Sequence, residues 1–107
     1  MVDSPFETDI RVGEVLAAES FPEANKPKMT KLRIDLGEEE VQSAAQLDHH
    51  YEPAELEGKQ VLCATNLGSV RIAGYNSEVL TVGVPDEDGF PVLVEPESDV
   101  PLGGTLF

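Results

Sequence analysis

Apolar and polar residues alternate at period two along most of the chain, the pattern of strands with one buried face. Ile10-Arg11-Val12-Gly13-Glu14-Val15-Leu16-Ala17 reads as a half-buried first strand, and the glycine inside it predicts a bulge or sharp bend. A second strand is expected over Thr30–Gly37, with Leu32, Ile34 and Leu36 facing in and Lys31, Arg33 and Asp35 facing out. Gly37–Glu40 then forms a tight turn into a third strand, Val41–Gln46. Gln60–Asn66 is a fourth strand, apolar enough to be buried on both faces, and Val70–Ile72 and Glu78–Val84 are expected to continue the sheet. Asp86-Glu87-Asp88-Gly89 is a hairpin turn into Phe90–Val94.

Proline and glycine punctuate these runs. Two prolines and Asn25 mark Phe21–Lys28 as a loop. Ser4-Pro5-Phe6-Glu7 has the form of a helix start, with Ser4 as cap, Pro5 in the first position and Glu7 bonding back; the helix would end near Asp9. Pro53–Glu57 predicts one helical turn, opened by Pro53 and stopped by Gly58. The apolar segment from Pro101 to Phe107 is expected to dock rather than trail. Together these elements give an all-β chain: one domain over residues 1–107, a small closed five-stranded barrel with a short helical turn between its third and fourth strands and a C-terminal extension.

Composition narrows the class. No apolar run is long enough to span a bilayer, and no charged start precedes an apolar stretch, so neither a membrane segment nor a signal peptide is expected and the cytoplasm is the expected compartment. The lone Cys63 excludes an internal disulfide and, in a buried strand without a neighbouring base, reads as core. The formal charge is −14, from 21 acidic against 7 basic residues, which reads as adaptation to a salt-rich cell interior.

The distribution of charge changes that picture. Four of the seven bases, Lys26, Lys28, Lys31 and Arg33, lie close together, and three windows are free of acids: Ala24–Ile34, Val41–Leu47 and Gly58–Ser77. If the windows fold onto one face, an acidic molecule presents one neutral-to-basic patch, the electrostatic footprint of a nucleic-acid binder. Arg71 falls in the third window, within the stretch Asn66–Val84.

Catalytic and metal chemistry finds little support. His49-His50 follows Asp48, but adjacent residues on a strand point to opposite faces, and no second Cys or His cluster completes a tetrahedral site. The pair reads as a solvated loop. Asp86–Asp88 lacks the spacing of a calcium loop, and neither a glycine-rich phosphate loop nor a Ser/His/Asp set stands out. No catalytic residue, metal or cofactor is therefore assigned, and the chain reads as a non-enzyme.

Asp9-Ile10-Arg11-Val12-Gly13, Ser43-Ala44-Ala45-Gln46, Tyr51, Glu55-Leu56-x-Gly58-Lys59-Gln60-Val61, Asn66-Leu67 and Arg71-Ile72-Ala73-Gly74-x-x-Ser77-Glu78-Val79-Leu80 resemble the CsaA-like branch of the tRNA-binding-domain family. The resemblance covers nearly the whole chain. It implies an OB-fold barrel, a homodimer and tRNA binding through the barrel face, in a free-standing form of a domain that larger relatives append to aminoacyl-tRNA synthetases. It also implies two other roles: an export-related chaperone for unfolded polypeptides, or an assembly module docking on a synthetase. A chaperone needs an exposed apolar patch, for which Phe6, Phe90, Leu102 and Phe107 are candidates.

RNA helices are read by shape, phosphate and 2′-hydroxyl contacts. Lys28, Lys31, Arg33 and Arg71 suit phosphates; Gln46, Asn66, Ser77 and Asn76 suit sugars and exposed bases; Tyr75 suits stacking on an unpaired base. Arg11 is a further candidate that pairing with a carboxylate would explain equally well. Alternatives stand for the others too: Asn66 as a turn-former, Ser77 pinning the turn after Gly74, and Tyr75 packing on the barrel rim. With so few bases, binding is expected to lean on hydrogen bonds, stacking and two-site attachment through a dimer more than on counterion release.

Overall fold

The computed structural model describes residues 4–107. Its longest strand, β1 (Ile10–Ser20), serves two neighbours: the first half pairs with β4 (Gln60–Ala64) and the second with β2 (Thr30–Asp35), both antiparallel. β2 pairs in turn with β3 (Glu40–Ala45), and β4 with β7 (Leu80–Thr81), giving the sheet order β3-β2-β1-β4-β7. The expected bend in β1 has two parts. At Gly13 a Cβ atom would lie 2.5 Å from Ile34 Cγ2, so glycine permits the close crossing of the strands. The bulge itself comes later, where the register slips between Val15 and Ala17.

The open edges of β3 and β7 are joined largely through side chains. The Gln42 amide donates to Glu78 Oε1 (2.9 Å) and the Ala44 amide to Ser77 Oγ (3.0 Å). Ser43 Oγ donates to the Val79 carbonyl and shares a 2.8 Å hydrogen bond with Thr81 Oγ1. Ser77-Glu78-Val79 is thus the seam of a five-stranded barrel, satisfying edge groups that would otherwise be unpaired.

Inward residues of the strands fill the barrel: Val15, Leu32, Ile34, Val41, Val61, Cys63 and Val79 are buried, as the alternation predicts. Each such aliphatic side chain contributes about 1.5–3 kcal/mol by burial. The helical turn α1 (Pro53–Leu56) adds the fully buried Leu56 to this core; Glu55 reaches back to the Glu52 amide (2.9 Å), and Gly58 ends the turn at φ +83°. Burial pushes the Cys63 thiol up to about 12, in keeping with its reading as core.

Three expectations need correction. Ser4–Asp9 is not helical: the Asp9 amide donates to Asn66 Oδ1 (2.9 Å), and the Asp9 carbonyl accepts from the Thr65 amide (2.8 Å), so this segment is drawn along the end of β4 instead. Val70–Ile72 and Glu78–Val84 do not continue the barrel as one run. Ala73 (φ +46°) and Gly74 (φ +82°) are both left-handed and fold β5 (Val70–Ile72) onto β6 (Tyr75–Ser77) as a separate two-stranded ribbon. Past the barrel strand β7, β8 (Gly83–Pro85) pairs with β9 (Pro91–Leu93) around the expected Asp86–Gly89 turn. Finally, the strand geometry invoked against a shared ion does not apply at Asp48–His50, which is a turn whose two histidines are exposed, as a solvated loop requires.

The C-terminal segment docks as expected. The Gly103 and Leu106 amides donate to the carbonyls of Val12 and Ile10 (both 2.8 Å), and Thr105 bridges Arg11, although Phe107 remains 76% exposed. Among the described residues no helix is long and apolar enough to cross a membrane.

Candidate nucleic-acid interface

On β2, Lys31 and Arg33 alternate with the buried Leu32 and Ile34 and so stand on the outer face of the barrel. Their strand neighbours are Glu19 and Ala44 for Lys31, and Ala17 and Gln42 for Arg33. Tyr75 reaches this face from β6, its hydroxyl donating to the Leu32 carbonyl at 2.9 Å. Phe21, at the end of β1, meets Tyr75 edge-on with ring centroids 5.7 Å apart. Lys31 Nζ lies 5.1 Å from the Phe21 ring and 5.4 Å from the Tyr75 ring, a double cation–π contact that fixes the ammonium. Between these groups runs a groove of about 410 Å³, lined by Ala17, Ala18, Lys31, Arg33, Gln42 and Tyr75 among others.

Carboxylates temper the groove's charge. Glu19 pairs with Lys31 (3.2 Å) and Glu40 with Arg33. Burial, and then the charges of Glu19 and Glu78, push the Tyr75 phenol above its ordinary range, with Arg33 opposing them. The phenol therefore remains a donor to Leu32 under neutral conditions.

The loop before β2 contributes two exposed cations, Lys26 and Lys28, neither of them ion-paired among the described residues. Lys28 is left-handed at φ +64°, a conformation costing about 1–3 kcal/mol in a non-glycine residue. Contacts on both sides enforce it: the Asp48 amide donates to the Lys28 carbonyl (3.0 Å), and Gln46 Nε2 to the Pro27 carbonyl (2.9 Å). Arg71, also without an ion pair among the described residues, pairs across the ribbon with Asn76; both are exposed. Tyr75 fastens that ribbon to β2 and Ser77 fastens it to β3.

The first two acid-free windows and the ribbon part of the third thus lie on neighbouring elements, and Lys28, Lys31, Arg33 and Arg71 sit on them. Other candidate residues are placed differently. Arg11 is paired with Asp9 (2.9 Å) and lines a separate hollow with Glu38, Glu39 and Leu102. Roughly 26 Å of strand, at about 3.3 Å per residue, separates it from Glu19 beside Lys31. Asn66 uses both ends of its amide, accepting from Asp9 N and donating to the Glu7 carbonyl (3.0 Å). Ser77 is buried in the seam, and Gln46 holds the cation loop. The sequence candidates do not include Gln42, which lines the groove, or the buried Phe21 beside it. Gln42 had a usable signal, since it lies in the second acid-free window at an outward position of its strand.

The sequence profile of the family described as "Putative tRNA binding domain" matches residues 10–105. A methionine–tRNA ligase of Methanococcus aeolicus is 32% identical over 105 residues, 98% of this chain but only 15% of the ligase. Among solved structures, the chaperone CsaA of Bacillus anthracis superposes with a TM-score of 0.88 at 35% identity, covering 99% of this chain and 100% of that one. The CsaA chaperone protein of Picrophilus torridus gives 0.84 at 34% identity, over 94% and 92% of the two chains.

Proposed function

The chain belongs to the tRNA-binding-domain family, and from that premise we propose that it binds structured, tRNA-like RNA through the outer face of β2 and the β5–β6 ribbon, without chemistry of its own. The observation that supports this reading is that Lys28, Lys31, Arg33 and Arg71 stand on adjoining elements of a chain with a formal charge of −14. Lys28 and Arg71 meet phosphates directly. Lys31 and Arg33 exchange Glu19 and Glu40 for phosphate oxygens, so part of the Coulomb gain is offset by pairs that must break. Gln42 supplies hydrogen bonds to sugar or base edges, and the groove over Ala17 and Ala18 accepts an unstacked base against Tyr75. Asn66, Ser77 and Gln46 act on this reading by holding the elements that carry the cations, and Arg11 belongs to the opposite end.

A second interaction surface is favoured by a mostly apolar cleft of about 520 Å³ between β1, β4 and the C-terminal segment, lined by Val12, Leu62, Val94, Val100, Leu106 and Phe107 among others. We assign it to homodimerisation, which would join two RNA faces and raise avidity; capture of an unfolded polypeptide, in the manner of a chaperone, is the alternative occupant. The cytoplasm is the compartment such a role requires, and the acidic surface is then an adaptation to high salt.

Filter binding of tRNA at low and molar KCl tests the main reading. Lys31→Glu/Arg33→Glu is expected to lose retention at both. Undiminished retention in that variant would remove the assigned face, and peptide capture without tRNA capture would transfer the function to the apolar cleft.

A further inference from the structure

Away from the cationic face, two histidines and a carboxylate converge. His49 and His50, from the turn after β3, and Asp86, from the tip of the β8–β9 hairpin, each bring one potential ligand atom to within 4.8 Å of the others. Neighbouring residues of an extended strand would diverge. The turn instead sets the two imidazoles edge to face with ring centroids 4.7 Å apart. Two of the three donors are also held from outside. His49 lies flat on Phe90, with centroids 4.0 Å apart and planes 11° from parallel. Asp86 Oδ1 accepts from the amides of Asp88 and Phe90 (both 2.9 Å), which leaves Oδ2 for His50 Nε2 at 2.6 Å. The turn is tied to the hairpin once more, where the Leu93 amide donates to the Tyr51 hydroxyl (3.0 Å).

Two imidazoles and a carboxylate suit a borderline divalent cation, whereas calcium and magnesium favour oxygen donors alone. Outer contacts of the kind made by Phe90 and the two hairpin amides orient such ligands. We propose that His49, His50 and Asp86 form a binding site for a divalent transition-metal ion of the zinc class. Three protein ligands clip the turn to the hairpin, and a fourth position is left open to solvent. Ligands of a tetrahedral ion with bonds near 2.0–2.1 Å lie roughly 3.3 Å apart, so the His50–Asp86 contact opens by somewhat under an ångström on binding. Both side chains are partly exposed, at 33% and 19%, and are free to make that adjustment. The same turn holds the Lys28 carbonyl through the Asp48 amide, so the ion stiffens the support of the cation loop. The proposal does not depend on the RNA-binding reading.

The test is calorimetric titration of zinc chloride into the chelator-washed full chain, free of any polyhistidine tag, with magnesium chloride as control. One zinc per chain is expected, with no response to magnesium. His49→Ala, His50→Ala and Asp86→Asn should each weaken binding by at least about tenfold. The histidines are exposed, and asparagine keeps an acceptor for the hairpin amides, so all three variants are expected to fold; circular dichroism checks this. Zinc should also raise the melting temperature of the wild type and leave the variants unmoved. Absence of heat at severalfold excess zinc overturns the site, as does undiminished binding in any one of the three folded variants.

Discussion

The two ends of β1 hold cations in opposite circumstances. Near Ser20 the strand runs beside Lys31 and Arg33, whose pairs with Glu19 and Glu40 sit among small Ala17 and Ala18, the neutral Gln42 and, on the adjoining loop and ribbon, cations without an ion pair among the described residues. Near Ile10 the same strand carries Arg11, clasped by Asp9 and ringed by Glu38 and Glu39. Net charge is common to both ends and cannot distinguish them. What differs is where the acids fall along neighbouring strands. On the proposed reading, an anionic chain keeps a phosphate-competent surface by leaving three sequence windows free of carboxylates and folding adjacent parts of them together.

The sharpest way to break this contrast is to reverse charge at each end in turn. Lys31→Glu/Arg33→Glu should reduce tRNA affinity by about a hundredfold or more at low salt, because two phosphate contacts become repulsions. Arg11→Glu should change it less than about threefold. Equal losses from the two variants would mean that position on the barrel is irrelevant and that only total charge matters.

The seam offers a structural version of the comparison. Ser77→Ala strands the Ala44 amide inside the barrel wall and should cost about 1–3 kcal/mol, read as a lower urea midpoint. Tethered ribbon and RNA face should weaken together. Asn66→Ala frees the Glu7–Asp9 segment at the other end and should lower stability without a proportional loss of RNA binding. A smaller effect of opposite sign is expected from Glu19→Gln/Glu40→Gln, which releases Lys31 and Arg33 from their surface partners. Each pair is worth about 0–1 kcal/mol, so tRNA binding should tighten by up to about fivefold per pair and its salt dependence should steepen. Unchanged affinity would show that the carboxylates do not compete with phosphate.

Much of this arrangement could be read before any coordinates. Period-two alternation placed Leu32 and Ile34 inside and Lys31 and Arg33 outside, and the helical turn at Pro53 and the tail docking followed from proline and apolar content. The misreadings share a cause. Ser4-Pro5-Phe6-Glu7 has a local helix signal, but a side chain 57 positions beyond Asp9, that of Asn66, claims the segment's backbone. The ribbon was hidden because alanine, not glycine, takes its first left-handed position. Ser77 reads from sequence as an RNA contact or a turn pin, and its bond to β3, like that of Glu78, is a long-range pairing that no spacing along the chain reveals. The histidine pair is a solvated loop as its sequence suggests, but the strand geometry that argues against a shared ion does not hold in a turn.

The smallest effect expected is a pH dependence confined to the cationic end. Tyr75 is neutral when its hydroxyl donates to Leu32, and burial, reinforced by Glu19 and Glu78, raises its pKa on folding. A group whose folded pKa exceeds its unfolded value contributes stability that is fully present below the unfolded pKa, near 10 for tyrosine, and is lost as pH rises through the folded value. Urea midpoints of the wild type should therefore fall more steeply above about pH 10 than those of Tyr75→Phe, which has no phenol to ionise. Lysine deprotonation is common to both proteins and cancels in the comparison. Because the ring is only half-buried, solvent screening keeps the difference small. Parallel curves would mean that the phenol is not held against β2 in solution, and the groove would then lack the wall on which an RNA base is proposed to stack.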